Sequence, residues 1–197
     1  MSIETVEYRG YKIEINSDVC EVNVREDNEN LGTMVCFHNR YNLGDKETGI
    51  SIEELEAIMA NTKDYISLPL YLYDHSGITM NTKGFSCPWD SGMVGGIFIS
   101  KEKVREQYSC KRVSKDLAKK VEGYLEGEVE LYDQMIRGEV YCYNIKDKDD
   151  NDIGESCGGF FGSDFEKSGL LEYAKNCIDC TIKTVERNGI QTELELV

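Results

Sequence analysis

One short segment in the middle of the chain contains the side chains best placed to do chemistry. Cys87 could be a nucleophile, with His75 as its base and Asp90 as the acid that orients the base. Asp74 could replace Asp90 in that arrangement, and Ser91 could replace Cys87. Neither nucleophile lies in a G-x-S-x-G elbow, and the residues around the cysteine match the papain pattern only loosely. The spacing therefore favours polar groups that satisfy one another within a loop, with a Cys or Ser hydrolase as an alternative.

The same segment could instead bind a small molecule. It contains the only tryptophan of the chain, and a deep pocket around that ring would make the loop over residues 74–95 a sponge for a nucleotide immune signal. The candidate ligand-binding residues are Tyr73, Asp74, His75, Ser76, Cys87, Trp89, Asp90 and Ser91.

Metal ligands are scarce, so we expect neither a metal ion nor a cofactor. Cys177 and Cys180 lie one helical turn apart, but the sequence does not indicate a third or fourth zinc ligand. The acidic turn over residues 147–152 lacks the Gly and the terminal Glu of an EF-hand loop. A P-loop and a dinucleotide-binding fingerprint are also absent.

The charge of the chain restricts its partners. The 197 residues carry a formal net charge of −15, while residues 65–113 alone hold 4 acidic and 6 basic side chains. This much negative charge repels phosphates, so we do not expect direct binding to nucleic acid. The favoured partner is a basic protein surface, including one that normally holds DNA or RNA. The alternative is that the acidic faces only keep the protein in solution.

A helix predicted over residues 114–137 contains carboxylates at positions i, i+4, i+8 and i+11, namely Glu122, Glu126, Glu130 and Asp133. Like charges four residues apart destabilise a helix by about 0.2–0.5 kcal/mol per pair. The stripe repeats about every 6 Å along the axis, whereas one DNA strand carries a charge about every 3.4 Å. It is therefore too sparse to imitate a duplex unless Glu128, the 147–152 turn and an acidic N-terminal sheet contribute. We predict that the four residues bind a partner; a solvated helix face is the alternative.

The elements that position these residues follow an α+β order. Alternating hydrophobicity and turn residues predict a hairpin over residues 8–15, with Gly10 in or beside its turn. The same signals predict strands over residues 20–25, 31–38, 65–73, 78–81, 93–99, 140–145 and 153–161. Helices are predicted over residues 51–62, 101–108 and 114–137, and from Ser163 to Gly189. This order lacks the rhythm of βαβ units. The sequence therefore predicts one α+β domain over residues 1–197, mainly antiparallel sheet with three to four helices.

The sequence also predicts the cellular compartment of the protein. Its first residues lack a basic patch followed by an apolar run, and no stretch approaches the roughly 18 apolar residues of a membrane span. Several of the eight cysteines fall within apolar strand or helix patterns, which is typical of free thiols in a core. We therefore expect a reduced, intracellular protein without membrane contact.

Several strings carry a resemblance to a known family. The string YDHSG at residues 73–77, SCPWDSG at 86–92 and the residues Gly32–His38 resemble acidic proteins spread through bacteriophages, prophages and plasmids, some labelled antirestriction. The likeness covers about residues 8–162. It implies an anti-defence protein, of antirestriction or anti-CRISPR type, in the cytoplasm of a bacterial host cell.

The resemblance also implies a partner. That partner would be a host immune nuclease or its complex, blocked without catalysis by acidic surfaces that could act as a nucleic-acid mimic. The family supplies no catalytic residues to transfer, and a homodimer is left open.

Overall fold

The computed structural model describes residues 2–19 and 23–195, with the side chains of the last helix described as far as residue 184. Within these ranges it contains eight strands and four helices, and both sheets are antiparallel, which confirms the α+β prediction. No helix in the described ranges is long and apolar enough to cross a membrane. In chain order the elements are β1 (Glu4–Tyr8), β2 (Tyr11–Ser17), β3 (Thr33–Cys36), α1 (Ile52–Ala60), β4 (Tyr65–Asp74), β5 (Ile78–Asn81), β6 (Ser91–Ser100), α2 (Lys101–Gln107), α3 (Lys115–Ile136), β7 (Val140–Lys146), β8 (Asp152–Phe161) and α4 (Leu170–Glu195).

The described residues form two compact units. The first unit comprises residues 2–19 and 138–195 and contains a sheet of order β1-β2-β7-β8. Arg9 and Gly10 have φ values of 51° and 80° in the β1–β2 turn, which suits the tight turn of a hairpin. The apolar face of α4 packs against this sheet, and the fully buried residues of the resulting core include Ile13, Ile15, Tyr143, Ile145, Leu170, Ala174 and Ile178.

The second unit comprises residues 23–137 and contains a sheet of order β3-β6-β4-β5, together with α1, α2 and α3. Pro69 lies in the part of β4 that β5 does not pair, beside a register shift between Leu70 and Tyr71. This is the position predicted for a proline, which cannot donate a hydrogen bond to a neighbouring strand. Buried side chains of this unit include Met34, Leu70, Leu72, Ile97, Val121 and Leu125.

Gly95 allows β3 to approach β6 closely. A Cβ atom at this position would lie 1.9 Å from the carbonyl oxygen of Val35, which is far inside van der Waals contact. Any side chain there would therefore push the two strands apart. The close approach fixes β3 and the segment after it, which contains His38 and Arg40.

Three of the predicted helix starts are confirmed. Ser51 forms a capping box with Glu54, Ser100 caps α2, and Ser114 caps α3. The predicted start at Ser163 is wrong, because Gly169, with φ of 80°, separates a turn from α4 and the helix begins one residue later. The predicted end at Gly189 is also wrong: α4 continues through this glycine.

One predicted strand does not form over the residues that the structure describes. Residues 20–22 of the strand predicted over 20–25 lie outside the described residues. Val24 and Arg25 lie in a turn, in which the backbone N–H groups of Glu26 and Asp27 donate to the carbonyl oxygen of Asn23. Both Val24 and Arg25 are buried in spite of this turn.

Candidate functional site

The helix α3 is positioned by its apolar face. Ser114 accepts a hydrogen bond from the backbone N–H of Leu117 at 3.1 Å, which fixes the first turn. The helix packs on β4 and β5, and its buried side chains are Val121, Leu125, Val129, Tyr132 and Asp133. This packing leaves the opposite side of the helix in solvent.

Three of the four predicted partner-binding residues share that solvent side. Glu122, Glu126 and Glu130 are exposed and recur every four residues. Gly123 and Gly127 lie next to them, and a Cβ atom added at either glycine would meet nothing within 4 Å. The backbone between the three carboxylates is therefore uncovered and open to close approach. We call Glu122, Glu126 and Glu130 the acidic stripe.

Asp133, the fourth predicted residue, does not belong to this exposed stripe. Its side chain is buried and accepts hydrogen bonds from the Thr79 hydroxyl at 2.7 Å and from the backbone N–H of Met80 at 2.6 Å. The Arg137 guanidinium lies 3.4 Å from its other oxygen. Asp133 therefore fastens α3 to the edge strand β5.

Glu128 is also withdrawn from the surface, by a cluster that the sequence analysis missed. The Arg25 side chain is only 1% exposed, and it donates to Asp45 and to Glu128, both at 2.7 Å, and to the carbonyl oxygen of Gly32 at 2.8 Å. Burial alone lowers the pKa of Arg25, but the hydrogen bonds to the two carboxylates outweigh burial and raise that pKa above its usual value.

The two carboxylates of this cluster also hold loop backbone. Glu128 accepts from the backbone N–H groups of Leu31 at 2.7 Å and Gly32 at 3.2 Å, and Asp45 accepts from that of Met34 at 2.9 Å. Arg25 stands 20 residues from Asp45 and 103 from Glu128 in sequence, so no local spacing signals the cluster.

A thiol and a phenol beside this cluster have raised pKa values. Burial, and secondarily the charge of Asp45, raises the pKa of Cys36 to about 12. Burial also raises the pKa of Tyr132, whose hydroxyl oxygen accepts from the backbone N–H of Gly44 at 2.9 Å. Both groups are therefore neutral at pH 7.

The segment that carries the hydrolase alternative contains several contacts between polar groups. Asp90 lies 3.7 Å from the Cys87 sulfur and 3.4 Å from His75 Nδ1. Within the described residues Cys87 has no hydrogen bond to His75, and the Ser91 hydroxyl donates to the carbonyl oxygen of Cys87. Asp90 thus lies between the thiol and the imidazole, and the described partner of Cys87 is this carboxylate rather than the His75 ring.

The other predicted ligand-binding residues lie in different surroundings. Asp74 is paired with the Arg40 guanidinium and accepts from the Tyr41 hydroxyl at 3.3 Å. The Tyr73 ring packs on Phe85, with 5.6 Å between ring centroids. Ser76 is exposed at the tip of the β4–β5 hairpin.

A cleft does lie beside Trp89, although its walls differ from the prediction. It has a volume of about 270 Å³ and is lined by Trp89 and Asp90 together with His38, Arg40 and Asp74, while Tyr73 and His75 do not line it. The Trp89 side chain is 90% exposed and forms the rim rather than a roof. We call this depression the Trp89 cleft.

A depression of comparable size lies in the first unit. It has a volume of about 370 Å³ and lies between β8 and α4, where its lining residues include Glu155, Tyr173, Cys177 and Cys180. The Tyr143 hydroxyl lies 3.4 Å from the Cys177 sulfur, so this thiol serves as a partner for a buried phenol. Over the described residues, no group of three or more His, Cys, Asp or Glu side chains could hold a metal ion.

Comparison with known proteins adds no relative. The chain matches no protein-family model, no curated protein is significantly similar in sequence, and no solved structure is significantly similar in fold. The resemblance to acidic phage proteins stays a prediction.

Proposed function

We propose that this protein binds and blocks a bacterial immune nuclease, of restriction or CRISPR type, without catalysis, and that α3 supplies an anionic docking face. The observation that carries the proposal is the acidic stripe, three exposed glutamates on one face beside two uncovered glycines. The proposal places the protein in the cytoplasm of a bacterial cell, where such nucleases act.

The charges of the stripe are available to a partner. Among the described residues, Glu122 and Glu130 take part in no ion pair, and Glu126 approaches one cation, Lys83, at 3.8 Å. Carboxylates four residues apart on one face repel each other and destabilise the free helix, and of these three only Glu126 has a cation within 4 Å among the described residues. A cationic surface would relieve that repulsion. The charges of the stripe would therefore favour complex formation, although their mutual repulsion does not stabilise the free protein.

Charge complementarity, rather than imitation of duplex DNA, is the mode that the geometry favours. Because Glu128 and Asp133 are held inside the second unit, the exposed charges on α3 are fewer than the sequence predicted. Their spacing of about 6 Å is wider than the phosphate spacing of about 3.4 Å. The stripe therefore suits a few Lys or Arg side chains of a nuclease and not a continuous phosphate-binding track.

The direct test is phage plating on bacteria that each carry one restriction or CRISPR system, with and without this protein. We expect plating to rise at least tenfold against one or more systems. The variant Glu122→Lys, Glu126→Lys, Glu130→Lys should lose that protection. Binding to the purified nuclease should weaken as salt rises from low to physiological concentration.

The matched control is Glu56→Lys, Glu102→Lys, Glu106→Lys, which changes the net charge equally at three exposed positions of α1 and α2 in the same unit. It should keep protection. Equal loss in both triple variants would mean that net charge alone matters and would remove α3 from the mechanism. A wild-type protein that protects against none of the systems would overturn the proposed function.

A small-molecule sponge is the weaker alternative. Most ligand pockets enclose most of the ligand's surface, whereas Trp89 is 90% exposed at the rim of its cleft. A rise in Tm with a nucleotide, absent in the variant Trp89→Ala, would favour the sponge over docking.

A further inference from the structure

The exposed side of α3 changes the sign of its charge along the helix. Residues 115–120 contain three lysines and one aspartate, whereas the acidic stripe follows over the next three turns. The last turn of the helix contains no basic residue. The helix macrodipole favours the reverse order, with anions near the N-terminus and cations near the C-terminus. This order of charges is therefore not one that stabilises the isolated helix.

Charges of both signs on this side lack a close partner of opposite charge. Lys115 and Lys119 are exposed and, like Glu122 and Glu130, take part in no ion pair among the described residues. The remaining lysine of the first turns, Lys120, lies over aromatic rings rather than beside a carboxylate. The face thus offers unpaired cations in its first half and unpaired anions in its second half.

Lys119 and Glu130 lie on the same side of the helix, because the 11 residues that separate them make about three turns. A two-fold axis across the helix, halfway between these two residues, would place a second α3 antiparallel to the first. Each Lys119 would then face Glu130 of the other copy, at about 8 Å along the helix on either side of the axis. The charge pattern of this face is therefore complementary to itself.

Two glycines mark the same centre independently of the charges. Gly123 and Gly127 are exposed on this side, and a Cβ atom added at either would meet nothing within 4 Å. Their midpoint lies half a residue, or about 0.75 Å, from the midpoint of Lys119 and Glu130. The helix surface is consequently lowest where two antiparallel helices would cross, which allows their backbones to approach closely.

A second copy is the occupant that this face favours. Nucleic acid would bring its phosphates against the glutamates, and a purely basic surface would meet like charge at Lys115 and Lys119. An antiparallel copy offers opposite charge to both halves, and its macrodipole also runs the opposite way. The net charge of −15 on each copy opposes association at long range, but at physiological salt the Debye length is about 8 Å, so the facing charges dominate at contact.

We propose that two copies of this protein associate through the exposed face of α3, antiparallel about a two-fold axis between Gly123 and Gly127. This inference goes beyond the proposed function. Because the dimer covers the acidic stripe, a second copy and a nuclease compete for the same glutamates.

Sedimentation velocity over a wide range of protein concentration tests the proposal. At physiological salt the wild-type protein should pass from monomer to dimer as concentration rises, and it should remain monomeric in 1 M NaCl, where the Debye length is about 3 Å. Lys119→Glu and Glu130→Lys should each weaken self-association at least about tenfold, since each substitution acts on two pairs of a symmetric dimer. The control is Lys63→Glu, at an exposed lysine between α1 and β4, which should associate as the wild type does.

A mixture of the two weakened variants provides the decisive measurement. Combined in equal amounts, Lys119→Glu and Glu130→Lys should form a mixed dimer, because each copy supplies the charge that the other lacks. A parallel arrangement would not restore association in this way, since it sets each residue beside itself. A wild-type protein that stays monomeric at every concentration, or a mixture that associates no better than either variant alone, would overturn the proposal.

The plating assay separates this inference from the proposed function. Lys119 does not belong to the acidic stripe, so Lys119→Glu should keep protection while it loses self-association. A monomeric wild-type protein that protects would remove the dimer and leave the proposed function intact. A wild-type protein that dimerises through α3 but never protects would leave this inference standing without the proposed function.

Discussion

Glu126 and Glu128 stand two residues apart on α3, and the environments of their side chains are opposite. Glu126 is 46% exposed and lies 3.8 Å from one lysine. Glu128 is 15% exposed and accepts hydrogen bonds from the Arg25 guanidinium and from two backbone N–H groups. The helix is the same for both, so the difference comes from what the neighbouring segments offer to each side of it.

This contrast separates two uses of negative charge. The inner carboxylates, Asp45, Glu128 and Asp133, hold loops and an edge strand in place, and each has several donors. The outer carboxylates form the acidic stripe, where the one ion pair among the described residues is that of Glu126 with Lys83 at 3.8 Å. Substitution should therefore reduce stability on the inner side and partner binding on the outer side.

The largest effect is expected at the centre of the inner set. The variant Arg25→Met leaves Asp45 and Glu128 without their shared cation in a mostly buried site, and it should lower the free energy of unfolding by about 3–5 kcal/mol. Urea unfolding measures this. The control is Arg40→Met, which breaks an ion pair whose arginine is 63% exposed and should lower the free energy by about 1 kcal/mol or less. Similar losses in the two variants would contradict the distinction.

The next effect is expected at Asp133. The variant Asp133→Ala leaves the backbone N–H of Met80 without its acceptor and should lower the free energy of unfolding by about 1–3 kcal/mol. Glu130→Ala, three residues earlier on the exposed side, should stay within about 0.5 kcal/mol of wild type. Thermal unfolding of these two variants measures the difference. An unchanged Tm for Asp133→Ala would mean that Asp133 does not support the fold and belongs with the acidic stripe.

The buried thiol of Cys36, beside the cluster around Arg25, should make the free energy of unfolding depend on pH in the alkaline range. The pKa of Cys36 is raised to about 12 in the folded protein, from an ordinary value of 9.0. The stabilisation that depends on the neutral thiol is fully present below pH 9 and is lost as pH rises toward 12. Between pH 9 and 10 the free energy of unfolding should fall by about 1 kcal/mol from this thiol.

Urea unfolding of Cys36→Ala at both pH values isolates that contribution. Its free energy of unfolding should depend less on pH than that of wild type, by the same amount. The variant Cys180→Ala, at an exposed thiol, should keep the wild-type slope. If instead Cys36→Ala and wild type have identical slopes, the thiol is not buried as described.

The smallest effect on the free energy of unfolding is expected for the acidic stripe, where substitution should raise it rather than lower it. The variant Glu126→Gln removes repulsion with Glu122 and Glu130, so the free energy of unfolding should rise by about 0.2–0.5 kcal/mol for each pair relieved. The gain should disappear in 1 M NaCl, where the Debye length is about 3 Å. A loss of stability at low salt would mean that Glu126 supports the fold through Lys83.

Local signals predicted much of the fold. The caps at Ser51, Ser100 and Ser114 lie within three residues of the backbone groups that they bind, so the sequence contains the whole interaction. The β4–β5 hairpin and the α+β order follow from alternation and turn residues, which are also local. Gly169 shows the limit: the Ser163 start motif is present, but a positive φ at this glycine delays the helix.

The candidate site was predicted less well because its contacts are long-range. Asp133 fits the stripe by spacing, but its donor Met80 stands 53 residues away in sequence. Trp89 was expected above a pocket with His75, whereas β3 brings His38 and Arg40 to that cleft instead. Periodicity identifies which residues share a helix face, but it does not show which residues of another segment reach them.

The bond between Asp133 and Met80 has a consequence for the behaviour of the protein at high abundance. β5 is the outermost strand of its sheet, and a free strand edge is a template on which another chain can pair and aggregate. The Asp133 side chain accepts from the backbone N–H of Met80, and α3 packs on this strand, so part of that edge is covered. If the protein occupies its target one for one, as proposed, it must accumulate to at least the target's copy number, and each covered donor on this edge leaves one fewer group with which another chain can pair.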